Sequence, residues 1–392
     1  MLFPAVMKKS AVLVGIPLVL LVLIGSYSPG VRPAEIGRLT DRELEELSLR
    51  LSEDPGYFDT DNLISNEISY THVAGTLGQI GRSGQVYLGV GPDQNFTYMA
   101  ALRPAAAFII DIRRDNLLQQ LYFKQLLEMS RDRWEYLSLL FGKRLPEGFQ
   151  GASSSDAAQL VEYFRSLPSD EDFFDRRFQL LWTELRGRFP GLVKEADRSR
   201  VDGIARAFFD GNLDLRFQSH GRRPRSHYPT FEDLLLERDH TGAMRNYLNA
   251  EQDFQFLRRM QQENRVIPVV GDFAGGKALS SIGDYVKSEG YAVSAFYVSN
   301  VEFYLFQEGR FSAFLDNLSR LPLDRTSLII RSYFNYGRRH PETWPGYYVT
   351  SLLQRAEDLL EQGKAGRVGY WDVVMDYIPM GAEVGAGTGS AP

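Results

Sequence analysis

Two glycines and two aspartates in this chain stand at spacings that suit the gripping of a nucleotide. In "QVYLGVGPDQNFTYMAALRPAAAFIIDIRRDNLL" (residues 85–118) a short apolar strand stops at Gly89-Val90-Gly91-Pro92. A helical stretch follows, and a second apolar run ends on Asp111. Glycine lacks a Cβ, so the chain can turn sharply there and admit a ligand against its backbone. The following helix turns free N–H groups and a partial positive charge toward the same gap. Asp111 lies 20 residues beyond Gly91, and an acid at the carboxyl end of the neighbouring strand accepts the hydroxyls of a ribose. Further on, "VVGDF" closes a third apolar run with Asp272, in position to read the amino edge of a base. "AFYVSNVEFYL" sets Ser299, Asn300 and Glu302 just past a fourth, where ligands lie in open α/β sheets. Glu302, and His72 ahead of the first strand, are the candidate bases if an acceptor must lose a proton. Plainer roles stand beside these: close strand–helix packing for Gly89 and Gly91, pairing with Arg113 or Arg114 for Asp111, a turn for Asp272, and helix capping for Asn300.

Those residues need strands ending at one edge of a sheet with helices between them, and the pattern supplies both. "QVYLGV", "AAAFIIDI", "RVIPVVGDF", "VSAFYVSN" and "TSLIIRSYF" read as short buried strands. Between them, "NFTYMAALRP", "ALSSIGDYVKSEG" and "RFSAFLDNLSRL" carry helical spacing. "NLLQQLYFKQLLEMSRDRWEYLSLLFG" reads as one long amphipathic helix and "TSLLQRAEDLLEQG" as another. Strands separated by such helices imply right-handed crossovers and a mostly parallel sheet. The expected fold is therefore α/β, a Rossmann-like mostly parallel sheet with helices on both faces plus a largely helical insertion. The organisation follows: residues 1–30 as signal peptide or membrane anchor, 31–80 as an N-terminal helical extension, 81–144 and 263–380 as the two parts of the Rossmann-like domain, 145–262 as a helical insertion or cap, and 381–392 as a loose tail.

Composition bounds the chemistry. Of 392 residues, 44% are hydrophobic and 12% aromatic, enough for a packed core. The net charge of −6 gives no general attraction to nucleic acid, and the run Arg222, Arg223, Arg225 reads as a solvated loop. There is no cysteine, which excludes disulfides, thiolate catalysis and Cys-ligated zinc. Five histidines (His72, His220, His227, His240, His340) form no HxxxH or HExxH pair, so the sequence offers no specific metal site. Lys8 and Lys9 precede an uncharged apolar run, Ala11 to Gly25. At 15 residues it is short of the roughly 20 of a full span and reads as an export signal or short anchor. The expectation is a membrane-anchored or exported protein, attached to the membrane through this segment if it is not cleaved.

The motifs resemble those of class I S-adenosylmethionine-dependent methyltransferases. "YLGVGPDQN" is similar to that family's glycine motif, "FIIDIRRDNL" to its acidic second motif, "VVGDF" to the third and "AFYVSNVEFYL" to the fourth, over roughly residues 85–125 and 265–335. The combination also looks like that of an uncharacterised bacterial family. The resemblance implies S-adenosylmethionine as cofactor, with Gly89 and Gly91 beside its methionine part, Asp111 on the ribose, Asp272 on the adenine edge, and Asn300 and Glu302 toward the reacting centre. Two positions depart from it: Tyr87 stands where the family has an acid, and Asp93 where it has a third glycine, at the helix N-terminus. The implied activity is methyl transfer to a small-molecule or lipid acceptor selected by the insertion. The alternative is an exported or membrane-tethered binding module that keeps the fold without the reaction. A dinucleotide oxidoreductase would need a glycine where Gln94 stands.

Overall fold

Strands β1 (Val86–Gly89), β2 (Ala106–Asp111), β3 (Val266–Val270), β4 (Val293–Ser299), β5 (Leu328–Phe334) and β6 (Val349–Arg355) form one sheet in the order β3-β2-β1-β4-β5-β6. The first five run parallel, and β6 pairs antiparallel with β5. The computed structural model describes residues 36, 38–220, 222–223, 225–335, 337–366 and 368–380, together with Met1. The apolar segment at 11–25 and the tail at 381–392 lie outside the described residues. No helix among the described residues is long and apolar enough to cross a membrane.

Helices cover both faces of the sheet, as the buried apolar strands require. In chain order they are α1 (Asp41–Leu51), α2 (Ala74–Ile80), α3 (Gln94–Leu102), α4 (Arg114–Met129), α5 (Arg133–Phe141), α6 (Ala157–Ser166), α7 (Glu171–Arg188), α8 (Arg198–Gly211), α9 (Phe231–Leu236), α10 (Glu251–Gln262), α11 (Ala278–Ser288), α12 (Val301–Gln307), α13 (Phe311–Leu318), α14 (Ala356–Lys364) and α15 (Tyr370–Met375). The α/β fold read from the sequence is the fold observed, and the stretch inserted between α5 and β3 is largely helical. Its α7, α8 and α10 pack on α4, and one apolar core runs from the sheet through these helices.

Two readings change. The long helix read over residues 116–142 is two helices, because Asp132 caps a new one: its side chain accepts from Glu135 N at 2.9 Å. The helix read from Thr350 begins only at Ala356; residues 349–355 are β6, whose partner β5 fixes them as a strand.

The ends of the sheet are managed by neighbouring chain. Pro268 lies inside β3, tolerable because β3 is an edge strand and needs ladder bonds on one side only. The outer side is met by α1 and the residues after it. Ser48 Oγ donates to the Pro268 carbonyl (2.6 Å), Val270 N donates to Ser52 Oγ (3.0 Å), and Glu53 N donates to the Val270 carbonyl (2.9 Å). At the other edge, Ile378 N donates to the Leu353 carbonyl at 2.7 Å.

The turn from β1 into α3 is braced from inside. Tyr87 OH donates to Asn95 Oδ1 at 2.8 Å, and Asn95 Nδ2 donates to the carbonyls of Val90 (2.9 Å) and Pro92 (2.7 Å). Gly89 is glycine because this brace fills its side-chain space: a Cβ there would lie 2.0 Å from Asn95 Oδ1 and 2.8 Å from Tyr87 OH. Gly89→Ala is therefore expected to lower stability by about 1–3 kcal/mol, as overpacking of a filled site does, read from the urea midpoint at unchanged slope.

Candidate ligand site at the strand ends

A cavity of about 290 Å³ opens over the carboxyl ends of β1, β2, β3 and β4, near the lower end of the range for small-molecule sites. Strand order reverses between β1 and β4, so the cavity sits at the switch point where open α/β sheets bind ligands. Gly91 (β1 end), Asp111 (β2 end), Asp272 (β3 end), and Ser299 and Asn300 (β4 end) line it. Residues 57–67, part of the insertion (including Phe217, Arg225 and Tyr228), Gln94 of α3, and α12 with the residues after it (including Tyr304, Glu308 and Arg310) supply the remaining walls.

Gly91 needs its glycine on backbone grounds, with φ at +83°. Its carbonyl accepts from Asn116 Nδ2 (2.8 Å) and Gln120 Nε2 (2.9 Å) of α4, which pins the turn. A Cβ at Gly91 would point at the amides of Asn62 and Gln94, at 3.3 and 3.4 Å, so its open side faces other residues of the cavity wall.

Asp111 is already engaged. Its Oδ1 accepts from Arg113 N (2.9 Å) and Nε (3.0 Å), and its Oδ2 accepts from Arg113 Nη2 (2.7 Å). Arg113 Nη1 reaches across to the carbonyls of Thr60 (3.2 Å) and Asp61 (2.9 Å). Oδ1 thus holds two donors and Oδ2 one, which leaves one accepting position for a ligand rather than the two a ribose grip would use. Asp272 is similarly shared: Oδ2 accepts from Arg310 Nη2 (2.6 Å) and Oδ1 from Ala274 N (2.9 Å).

The cavity also holds a carboxylate that sequence reasoning missed. Glu67 is 2% exposed and lines the site. Hydroxyls hold both of its oxygens: Ser299 Oγ on Oε1, and Tyr297 OH and Ser332 Oγ (2.6 Å) on Oε2. Burial pushes its pKa up, against the downward pull of these three donors. Ser299, at φ +52°, occupies a left-handed conformation uncommon for a residue with a side chain. Gln94 Nε2 donates to Tyr297 OH at 3.1 Å. No local signal marks Glu67, because its partners stand 230 to 265 residues away in sequence.

The other residues singled out from the sequence do not line the cavity. Glu302 pairs with Arg331, which donates from Nε to Oε2 (2.7 Å) and from Nη2 to Oε1 (3.2 Å), with both side chains 1% exposed. His72 is buried, its Nε2 is 2.6 Å from Glu237 Oε1, and its ring stacks on Trp344 at 4.1 Å. Neither lines the cavity, so the expectation that they act as bases there finds no geometric support. Gly89 serves the brace described above. Asp93 occupies the N-cap position of α3, yet its side chain makes no capping bond. Tyr247 OH donates to its Oδ2 at 3.2 Å, and burial raises its pKa to about 7. Among the described residues, no three acidic or histidine side chains converge as metal ligands.

These features define a Rossmann-like α/β protein with a switch-point cavity walled in part by the segment before β1 and by the insertion. Residues 63–182 and 219–375 match a family described as a domain of unknown function, DUF7790. The match spans more than half of the chain, and the protein belongs to that family. No match was found among curated proteins.

Two tests follow from the residues outside the cavity. The folded chain holds the Asp93 proton to about pH 7, whereas the unfolded chain releases it near 3.8. The folded state therefore binds the extra proton between these values, and this group's contribution to stability falls as pH rises from about 4 to about 7, then levels. Asp93→Asn, which keeps an acceptor for Tyr247, is expected to flatten that slope and to raise stability at pH 8 by a few kcal/mol, on the order of 1.4 kcal/mol per pH unit removed; urea melts across pH 4–8 measure it. Glu302→Ala leaves Arg331 buried without its carboxylate and is expected to cost about 3–5 kcal/mol, seen as a lower melting temperature.

Proposed function

We propose that the protein binds S-adenosylmethionine in this cavity and that its reaction is methyl transfer to a small-molecule or lipid acceptor. The observation that carries the reading is the joint position of Gly91, Asp111, Asp272 and Asn300 around one cavity at the sheet's switch point. Asp111 would hold one ribose hydroxyl through its remaining accepting position, Asp272 would face the base, and the Gly91 turn would lie beside the amino-acid end. Phe58 and Tyr304, edge to face at 5.0 Å, and Phe217 would cover the ligand with apolar surface and exclude water. When bound, the cofactor supplies an electrophilic methyl group, and transfer from it depends chiefly on alignment of donor and acceptor. The protein's own part is therefore to bind, orient and dry the site. Attachment through residues 11–25 would hold the protein at a membrane, where lipid acceptors are available.

A second reading, a module that binds without transferring, is favoured by one observation. Both candidate bases, Glu302 and His72, are tied into buried pairs away from the cavity.

Calorimetric titration of the full chain with S-adenosylmethionine and S-adenosylhomocysteine tests the first reading. Saturable binding of both is expected, weakened about tenfold or more in Asp111→Asn at an unchanged far-ultraviolet spectrum, in line with loss of one charged hydrogen bond. No heat from either ligand would overturn it, and binding without methylation of any acceptor in a cell extract would leave the second reading.

A further inference from the structure

We infer that the floor of the cavity, formed by Glu67 and Gln94, is a receptor for a ligand's ammonium group. Two independent observations point there. First, Glu67 is a buried carboxylate with no basic side chain in ion-pair distance among the described residues. The other acids of the cavity wall have such partners: Asp111 has Arg113, Asp272 has Arg310, and Glu308 has Arg310. A buried charge is expensive unless it is paired, and three hydroxyl dipoles offset it only in part. A cationic ligand group completes the pairing.

Second, Gln94 is 4% exposed, lines the same cavity, and its Oε1 is buried without a hydrogen-bond partner. The network sets which way this amide faces. An ionised Glu67 only accepts, so Tyr297 OH must donate to it, and Gln94 must then donate to Tyr297 through Nε2. That leaves Oε1 as the free atom. Thr60 Oγ1, also in the wall, is buried and unpartnered as well. With Glu67 ionised, the floor presents one negative charge and unused acceptors; burial works against that charge, and a cation beside it favours it. An –NH3⁺ group, with three donors and a positive charge, matches it; a phosphate or carboxylate does not.

The ammonium has two possible sources, the amino-acid end of the cofactor proposed above or an amine substrate. The first source rests on that cofactor reading; the second does not. The experiment separates them on the full chain. S-adenosylhomocysteine and 5′-methylthioadenosine, which lacks the amino-acid end, are titrated into wild type and Glu67→Gln. In parallel, melting temperatures are taken with putrescine, spermidine and the uncharged 1,4-butanediol.

A preference of tenfold or more for S-adenosylhomocysteine that disappears in Glu67→Gln supports the inference with the cofactor as source. Stabilisation by the two amines in wild type only, with none from butanediol, supports it with an amine substrate as source, even if neither nucleoside binds and the cofactor reading has failed. If Glu67→Gln does not fold, Gln94→Leu replaces it, with a several-fold loss of the same preference or stabilisation expected. The inference is overturned if no ligand distinguishes wild type from the folded variant.

Discussion

The contact on which the site depends is the fork of Arg113. Its guanidinium and backbone N–H hold both oxygens of Asp111, and its remaining arm holds the carbonyls of Thr60 and Asp61. A planar donor set of this kind fixes direction as well as distance. It ties the end of β2 to the segment that crosses above it. That segment is what turns an open crevice at the strand ends into a walled cavity, and it carries Glu67 to the floor. The same pair that builds the site also takes most of Asp111's hydrogen-bonding capacity. The residue read from sequence as a sugar grip is thus first a structural anchor, with one accepting position left over.

Charge pairing sorts the other acids by what they can do. Glu302 and Arg331 form a forked pair with almost no exposure, and Gln354 Oε1 accepts from the same arginine at 2.6 Å. Such a pair is fully committed and holds α12 to β5. His72 and Glu237 likewise hold the chain before β1 to the end of α9, with Tyr347 OH donating to the same carboxylate at 2.8 Å. Glu67 differs because its partners are neutral. Three hydroxyls favour its charged form while burial opposes it, the balance expected of a group whose proposed counter-ion arrives with a ligand.

The turn between β1 and α3 shows how two glycines one residue apart can have different reasons. Gly89 gives way to the brace made by Tyr87 and Asn95. Gly91 is required by its own backbone angle and stands at the cavity. Tyr87, the departure from the methyltransferase pattern, is part of the brace. Asp93, the other departure, turns to Tyr247 and away from the cavity lining.

The sequence by itself determined the alternation of short apolar strands with helices, and hence the parallel Rossmann-like sheet, since strand and helix periodicity are local properties of the chain. It also marked Gly91, Asp111, Asp272 and Asn300, because a residue at or just past the end of a buried strand falls at one edge of the sheet whatever its neighbours are. It misread residues 350–355, because Leu352 and Leu353 continue backward the helical spacing of Ala356 and Leu359, and only pairing with β5 decided for a strand. Tertiary structure alone decided which acids were spent in ion pairs and which faced the cavity. Glu302 and Glu67 are both glutamates near apolar stretches. One meets an arginine 29 residues away and the other meets hydroxyls more than 200 residues away, and the electrostatic fate of a carboxylate is set by partners that the chain brings near only when it folds.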